Sequence, residues 1–293
     1  MFAIQRTCRS ATGPPANTAR ARAPADAGST EASGPPNEDA TVQAQRISQA
    51  VNDGVDAILF SASEAAKVVG AINEAVDRGV QVMTFDSDVP NSKRFSFYGG
   101  DDEAMGRQVM EELSKQLGGK GKVAILGGNQ NAPNLQKRVK GARDEAAKHA
   151  GIQVVNVFYH AETPQDASAE VTRAMNAYPE IQGWAMIGGW PLFAQSLLTD
   201  LDPNKVKVVS VDALPEELAY VEKGIAPVLF AQPTYNWGYV GVKTIFDKVY
   251  LKKDVPAHVQ MDLIRVDRSN LGQWARQLRD WGFTNVDAKY LAM

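Results

Sequence analysis

Residues 55–88 read VDAILF (55–60), SASEAAKVVGAINEAVDRG (61–79) and VQVMTFDSD (80–88). Two short runs that are almost continuously apolar enclose a stretch in which Val68, Val69, Ile72 and Val76 recur with helical spacing. Ser63 stands where a helix N-cap belongs and Gly79 where the helix must stop. A strand of unbroken apolar character is one that is covered on both faces. The segment is therefore predicted to be strand, helix, parallel strand, with the acidic tip Asp86-Ser87-Asp88 emerging from the second strand.

The same plan extends in both directions. Upstream, Ala40–Asn52 places Val42, Ile47, Ala50 and Val51 on one helical side, and Gly54 ends it before the strand Val55–Phe60. Downstream, a helix opens at Asp101 and closes at Gly118-Gly119, and Asn134 to His149 is helical. Further strands are predicted at Lys122–Leu126, Ile152–Phe158, Gly183–Ile187, Val206–Val211 and Val228–Ala231. Helices are expected near Ala167–Ala177, Pro191–Asp200, Glu216–Lys223 and Trp237–Leu251. Alternation of this kind defines an α/β protein built on doubly wound parallel sheets.

Met1–Ser33 breaks the pattern. It is dominated by Ala, Arg, Thr, Pro, Ser and Gly, which build no core, and it is expected to be disordered. It also lacks the run of about 7–15 apolar residues that an export signal requires. No strand or helix of the repeating plan is expected within it.

Composition narrows the function. At 293 residues, 44% of them hydrophobic, the sequence suffices to fill two lobes. Thirty-one basic and 34 acidic side chains give a net charge of −3 and no basic face for nucleic acid. Cys8 is the only cysteine, and three scattered histidines without a second thiol do not make a zinc site. No stretch approaches the roughly 18 consecutive apolar residues of a membrane span. No nucleotide or nucleophile-elbow motif follows a strand, because Gly127-Gly128 and Gly188-Gly189 are incomplete. Neither a metal nor a cofactor is expected.

Ligands of open parallel sheets gather beyond the carboxyl ends of the strands. Those positions here are Ser61-Ala62-Ser63, Asp86-Ser87-Asp88, Asn129-Gln130-Asn131, Gly189-Trp190, Asp212-Ala213 and Gln232-Pro233. They hold no histidine or cysteine and no acid and base set for proton transfer, which argues for binding rather than catalysis. Asp86 follows a buried strand, where a carboxylate can accept two hydroxyl hydrogen bonds, and Asp212 follows another; either can instead be a cap or turn residue. Arg138 offers a planar fork of donors to adjacent oxygens, although solvated helix arginines are common. The indole of Trp190 can cover an apolar C–H face or simply fill core. Gln232, Ser61, Asn131 and Asn134 supply smaller polar contacts, and Tyr235 and Trp237 can line the same cleft or cover a helix start.

Thr84-Phe85-Asp86-Ser87-Asp88, Arg138-Val139-Lys140-Gly141, Val211-Asp212-Ala213 and Ala231-Gln232 resemble, in order and spacing over roughly residues 35–270, the ligand loops of ribose-type periplasmic binding proteins. The resemblance implies a type I periplasmic-binding-protein fold of two lobes, joined by three crossings of the polypeptide, that close like a hinge on a small sugar or polyol. Lobe 1 is assigned 34–100 plus 233–260, and lobe 2 101–232 plus 261–293. Crossings fall near Gly99–Asp101, Gln232–Thr234 and Met261. It further implies a monomeric, non-enzymatic, periplasmic protein that delivers its sugar to an ABC-type membrane permease. Tryptophan at 190 departs from the polar side chain usual in that family, and Met1–Ser33 shows neither the strand nor the long helix with which its members begin, so the first strand and helix of lobe 1 are expected to be missing. A sugar sensor for a receptor or regulator, or an enzyme on the same fold class, are the alternatives. A repressor needs a DNA-binding module longer than Met1–Ser33 offers.

Overall fold

The computed structural model describes residues 2–5, 29–32, 39–198 and 200–293. Contacts divide them into two units. The first takes the polypeptide to Gly100, with Ala132–Asn134 and Pro233–Met261; the second comprises Asp101–Asn131, Leu135–Gln232 and Asp262–Met293. The backbone thus changes unit at Gly100–Asp101, Gln232–Pro233 and Met261–Asp262, and also on either side of Ala132–Asn134, which includes the first two residues of the helix Pro133–Ala146. Elements are numbered in sequence order across both units.

The first unit holds β1 (Phe2–Gln5), β2 (Ser29–Ala32), α1 (Ala40–Asn52), β3 (Ala57–Phe60), α2 (Ala65–Asp77), β4 (Gln81–Phe85), β5 (Ser96–Gly99), α7 (Tyr235–Val249) and β11 (His258–Gln260). Its strands lie in the order β11, β5, β4, β3, β1, β2. β3, β4, β5 and β11 are parallel, with Ile58 level with Val82 and Thr84 with Phe97. Every residue of β3 is buried, as a strand covered on both faces requires. Ile58, Phe60 and Val82 pack with Ile47 and Val51 of α1 and Val68 and Ile72 of α2. On the other face Gly241 of α7 lies so close that an added Cβ would sit 2.5 Å from Leu59 Cδ2.

The expected disorder of Met1–Ser33 is corrected where residues are described, because 2–5 and 29–32 form strands; both are antiparallel, and no helix precedes α1 among the described residues. β1 pairs antiparallel with β3, Ala3 facing Ile58, and β2 pairs antiparallel with β1. An uncovered β3 would present a row of unpaired backbone N–H and C=O groups, and any short extended segment can satisfy them. Phe2-Ala3-Ile4-Gln5 does so without the long apolar run on which strand recognition depends. The rest of the expectation concerns residues 1, 6–28 and 33, which lie outside the described residues. Ser63 is not the cap either: α2 starts at Ala65 behind Glu64, and the Ser63 N–H bonds to Gln43 Oε1 at 3.0 Å.

The second unit contains α3 (Asp102–Gln116), β6 (Lys120–Leu126), α4 (Pro133–Ala146), β7 (Gly151–Phe158), α5 (Pro164–Ala177), β8 (Gly183–Met186), β9 (Lys207–Val211), α6 (Leu218–Lys223), β10 (Val228–Ala231), β12 (Ile264–Asp267), α8 (Leu271–Asp280) and α9 (Ala288–Leu291). Its order is β12, β10, β9, β8, β6, β7, all parallel except the antiparallel edge strand β12. Trp184, fully buried in β8, anchors a core that includes Leu126, Val171, Val208, Leu229 and Leu271. The helix expected over Pro191–Asp200 is only a 3-10 turn at Trp190–Leu192 followed by turns. Leu192 and Leu198 are both buried, and six residues apart they would point about 120° away from one another around one α-helix.

α3 and α4 meet backbone to backbone. A Cβ on Gly106 would lie 1.9 Å from Arg138 O, and one on Gly141 would lie 2.0 Å from Glu103 O. Gly70, on an exposed part of α2, has open space around it. Gly106→Ala and Gly141→Ala are therefore expected to lower unfolding stability by about 1–3 kcal/mol through overpacking. Gly70→Ala should raise it by up to about 1 kcal/mol through helix propensity. Urea denaturation midpoints check both signs, and stabilisation at 106 or 141 would contradict the close approach.

Candidate functional site

Each unit carries a cluster of polar and aromatic groups at the carboxyl ends of its strands. In the first unit β4 ends at Phe85, and Asp86 then adopts a left-handed conformation with φ 55°. Its N–H still bonds to Tyr98 O at 3.0 Å, so the ladder to β5 continues while the backbone turns away. The half-buried Asp86 carboxylate accepts Ser61 Oγ and Asn134 Nδ2, both on Oδ2 and both at 3.4 Å. Three of the expected site residues are thereby brought together. Asp88 has another role: it accepts Thr84 Oγ1, the Val89 N–H and both Nε and Nη2 of Arg94, which fixes the loop. Trp237, in the first turn of α7, lies 5.7 Å from the Phe85 ring. Tyr235 stacks on Tyr239 at 5.9 Å.

The second unit repeats the device. β9 ends at Val211, Asp212 has φ 78°, and its N–H bonds to Phe230 O of β10 at 2.9 Å. Gln232 Nε2 donates to Asp212 Oδ1 at 2.8 Å and the Gly189 N–H to Oδ2 at 3.1 Å. Arg138 joins this network. Its Nη2 donates to Gln232 Oε1 at 3.2 Å, Nε to Asp102 Oδ1 at 2.8 Å and Nη1 to Ile187 O at 3.3 Å. The Arg138 side chain is only 3% exposed. The guanidinium therefore orients Gln232, and through it Asp212, in addition to whatever else it meets. Gly106 and Gly141 explain how it gets there, because their contact lays the first turns of α4 along α3 and sets Arg138 against Asp102. Burial lifts the Asp102 carboxyl above the usual aspartate range, and the adjacent Arg138 offsets this only in part.

Trp190 is half-buried on a floor of two glycines. A Cβ on Gly188 would lie 2.4 Å from its ring and one on Gly128, at φ 63°, would lie 2.7 Å away. One glycine of each pair, Gly128 and Gly188, thus makes room for the indole, while Gly127 lies against Tyr159 and Gly189 against Glu217 and Phe193. His160 meets the ring edge-on at 5.0 Å, and burial holds its imidazole below the usual histidine pKa. Asn131 stands apart: it is exposed, and its N–H closes a turn onto Asn129 Oδ1 at 2.9 Å.

Sequence reasoning named Trp237 and missed several other groups. Among the described residues, the buried side-chain atoms without a hydrogen-bond partner are Ser87 Oγ and Trp237 Nε1 in the first unit and Gln136 Nε2, His160 Nε2 and Glu217 Oε1 in the second. All belong to loops or helix starts that follow strand ends. Buried polar atoms are ordinarily satisfied, and these five are exceptions. Proximity to a strand end was the available signal. Burial is not readable from residue type, since serine, glutamine and glutamate are usually exposed.

Two lobelike units of parallel sheet, each with a polar strand-end cluster, define a solute-binding protein of the periplasmic type. The chain belongs to the periplasmic binding protein domain family, whose model matches residues 14–253. It is 25% identical over 190 residues to a xylitol-binding protein of Mycolicibacterium smegmatis, covering 64% of this chain and 54% of that one. It is 27% identical over 184 residues to a D-ribose/D-allose-binding protein of Pseudomonas aeruginosa, covering 59% and 57%. The matched segments thus span little more than half of these curated relatives. An ABC transporter solute-binding protein from Burkholderia graminis, solved in complex with D-arabinose, superposes with a TM-score of 0.76 at 26% identity, covering 80% of this chain and 83% of that one.

Arg138 and Asp102 form a buried pair whose single disruption leaves an uncompensated charge. Arg138→Met and Asp102→Asn are each expected to cost about 3–5 kcal/mol, and the double variant much less than their sum. A double-mutant cycle by chemical denaturation measures this, and strict additivity would show that the two groups are not coupled.

Proposed function

We propose that this protein binds one small sugar or polyol through the Asp86 cluster of the first unit and the Asp212 cluster of the second, and hands it to an ABC-type permease. The observation that carries the reading is the pair of half-buried aspartates at equivalent strand ends, each in a left-handed conformation. A non-glycine residue held there costs about 1–3 kcal/mol and persists where the surrounding structure or function demands it. A carboxylate so placed accepts two hydroxyl hydrogen bonds, the pattern of a polyhydroxylated ligand. Trp190 adds an apolar face for the C–H groups of a sugar ring or an open polyol, and Ser61, Asn134, Gln232 and Trp237 add donors beside it. The relatives named for xylitol, ribose, allose and arabinose support a polyol or sugar. Binding without turnover, residence in the periplasm and function as a monomer complete the proposal, the first because those relatives are named for binding a solute.

Glycine suits both left-handed positions and lacks the carboxylate, so Asp86→Gly and Asp212→Gly separate fold from function. Isothermal titration with D-ribose, D-arabinose, D-allose and xylitol is expected to find a ligand for the wild type. Each variant should bind that ligand about 5- to 150-fold more weakly, the equivalent of about 1–3 kcal/mol for an unsatisfied buried group, while its melting temperature stays close to wild type. No binding by the wild type, or unchanged affinity in either variant, would refute the reading.

A further inference from the structure

Glu217 is the one fully buried carboxyl among the described residues, and neither the family resemblance nor the ligand cluster accounts for it. It lies in the 3-10 turn Pro215–Glu217 that follows Asp212-Ala213-Leu214. Its Oε2 accepts the Leu214 N–H, which ties the carboxyl to the loop leaving β9. Its Oε1 has no hydrogen-bond partner and faces the Cα of Gly189, where an added Cβ would lie only 2.4 Å away. The Phe193 ring closes on the same Cα, with 2.7 Å to that Cβ position. Gly189 is consequently clamped: Asp212 Oδ2 holds its N–H at 3.1 Å and Glu217 packs on its carbon. The next residue is Trp190.

We propose that Glu217 is a positioning residue for the second unit's ligand cluster, locking the Asp212 turn and the Gly189-Trp190 turn to one another so that carboxylate and indole keep a fixed separation. The proposal rests on the sugar-binding reading only for the consequence to affinity; the locking itself concerns the protein alone. The plain alternative is that Glu217 merely caps its own turn through Leu214. Capping explains Oε2 but not an acid group pressed against Gly189 with its second oxygen unbonded.

The titratable groups acting on Glu217 are Asp212 from the end of β9, Glu216 from its own turn and Tyr220 from α6, and none is a cation. Burial first, and the Asp212 charge second, push its carboxyl well above the usual glutamate range. The folded protein therefore binds this proton more tightly than the unfolded polypeptide does. Stability from the neutral form is full below the ordinary glutamate pKa and is lost as pH rises toward the folded-state value. Ionised Glu217 would then face the Asp212 carboxylate directly, and repulsion would loosen the two turns it joins.

The test compares wild type, Glu217→Gln and Glu217→Leu, each prepared both with Trp190 and with Trp190→Phe, so that subtracting the second from the first isolates the Trp190 emission. Emission is followed from about pH 5 to pH 9, with circular dichroism verifying that each protein is folded. In the wild type, Trp190 emission is expected to change as pH rises, and affinity for whichever of D-ribose, D-arabinose and xylitol binds should fall about tenfold across the same interval. Glu217→Gln keeps the shape and the Leu214 bond without the charge, so both readouts should become independent of pH at their low-pH wild-type values. Glu217→Leu should shift the emission at every pH. Identical pH profiles for wild type and Glu217→Gln would overturn the proposal. If no sugar binds, the sugar-binding reading fails, and the emission profiles still decide the role of Glu217.

Discussion

Everything in the two strand-end clusters hangs on a backbone constraint imposed twice: a buried parallel strand ends in an aspartate at positive φ. At Asp86 and at Asp212 the N–H remains in the sheet ladder, bonded to Tyr98 O and Phe230 O, while the next bond leaves the sheet. Aspartate tolerates the left-handed region better than most residues, yet glycine would do so at less cost. A carboxylate at that corner is aimed by the backbone rather than by a long, flexible stem. Precision thus comes with backbone strain and is maintained by the packed strands behind it.

The surroundings of the two corners differ in how they hold that carboxylate. Asp86 meets Ser61 and Asn134 through long bonds of 3.4 Å. Asp212 is the end of a relay that begins at Asp102 and passes through Arg138 and Gln232. The relay depends on two glycines, because only at Gly106 and Gly141 do α3 and α4 come close enough to bury the guanidinium beside Asp102. Gly188 and Gly128 do the same for Trp190, giving a large ring a place without displacing the strands. Four positions without side chains therefore set two side chains that matter.

The alternation of apolar runs and amphipathic stretches made the parallel sheets and most helices legible in the sequence. The position of Asp86 and Asp212 directly after buried strands was legible as well, whereas the choice between ligand contact, cap and turn was not, because residue type and position suit all three. β1 escaped because pairing along an open edge uses backbone groups, which every sequence has. The stretch after Trp190 escaped because Leu192 and Leu198 are drawn to one core from positions that a helix would separate. The partnership of Asp102 with Arg138, 36 residues apart, and the burial of Glu217 are products of tertiary packing. No local pattern encodes them, although Gly141, noticed only as part of a motif, was the residue that carried the first.

The most direct measurement is a crystal structure of the protein with the tightest-binding member of D-ribose, D-arabinose, D-allose and xylitol. The account requires ligand hydroxyls within hydrogen-bonding distance of both Asp86 and Asp212, with Trp190 against carbon. A ligand that touches neither aspartate, or only one of the two, would contradict it.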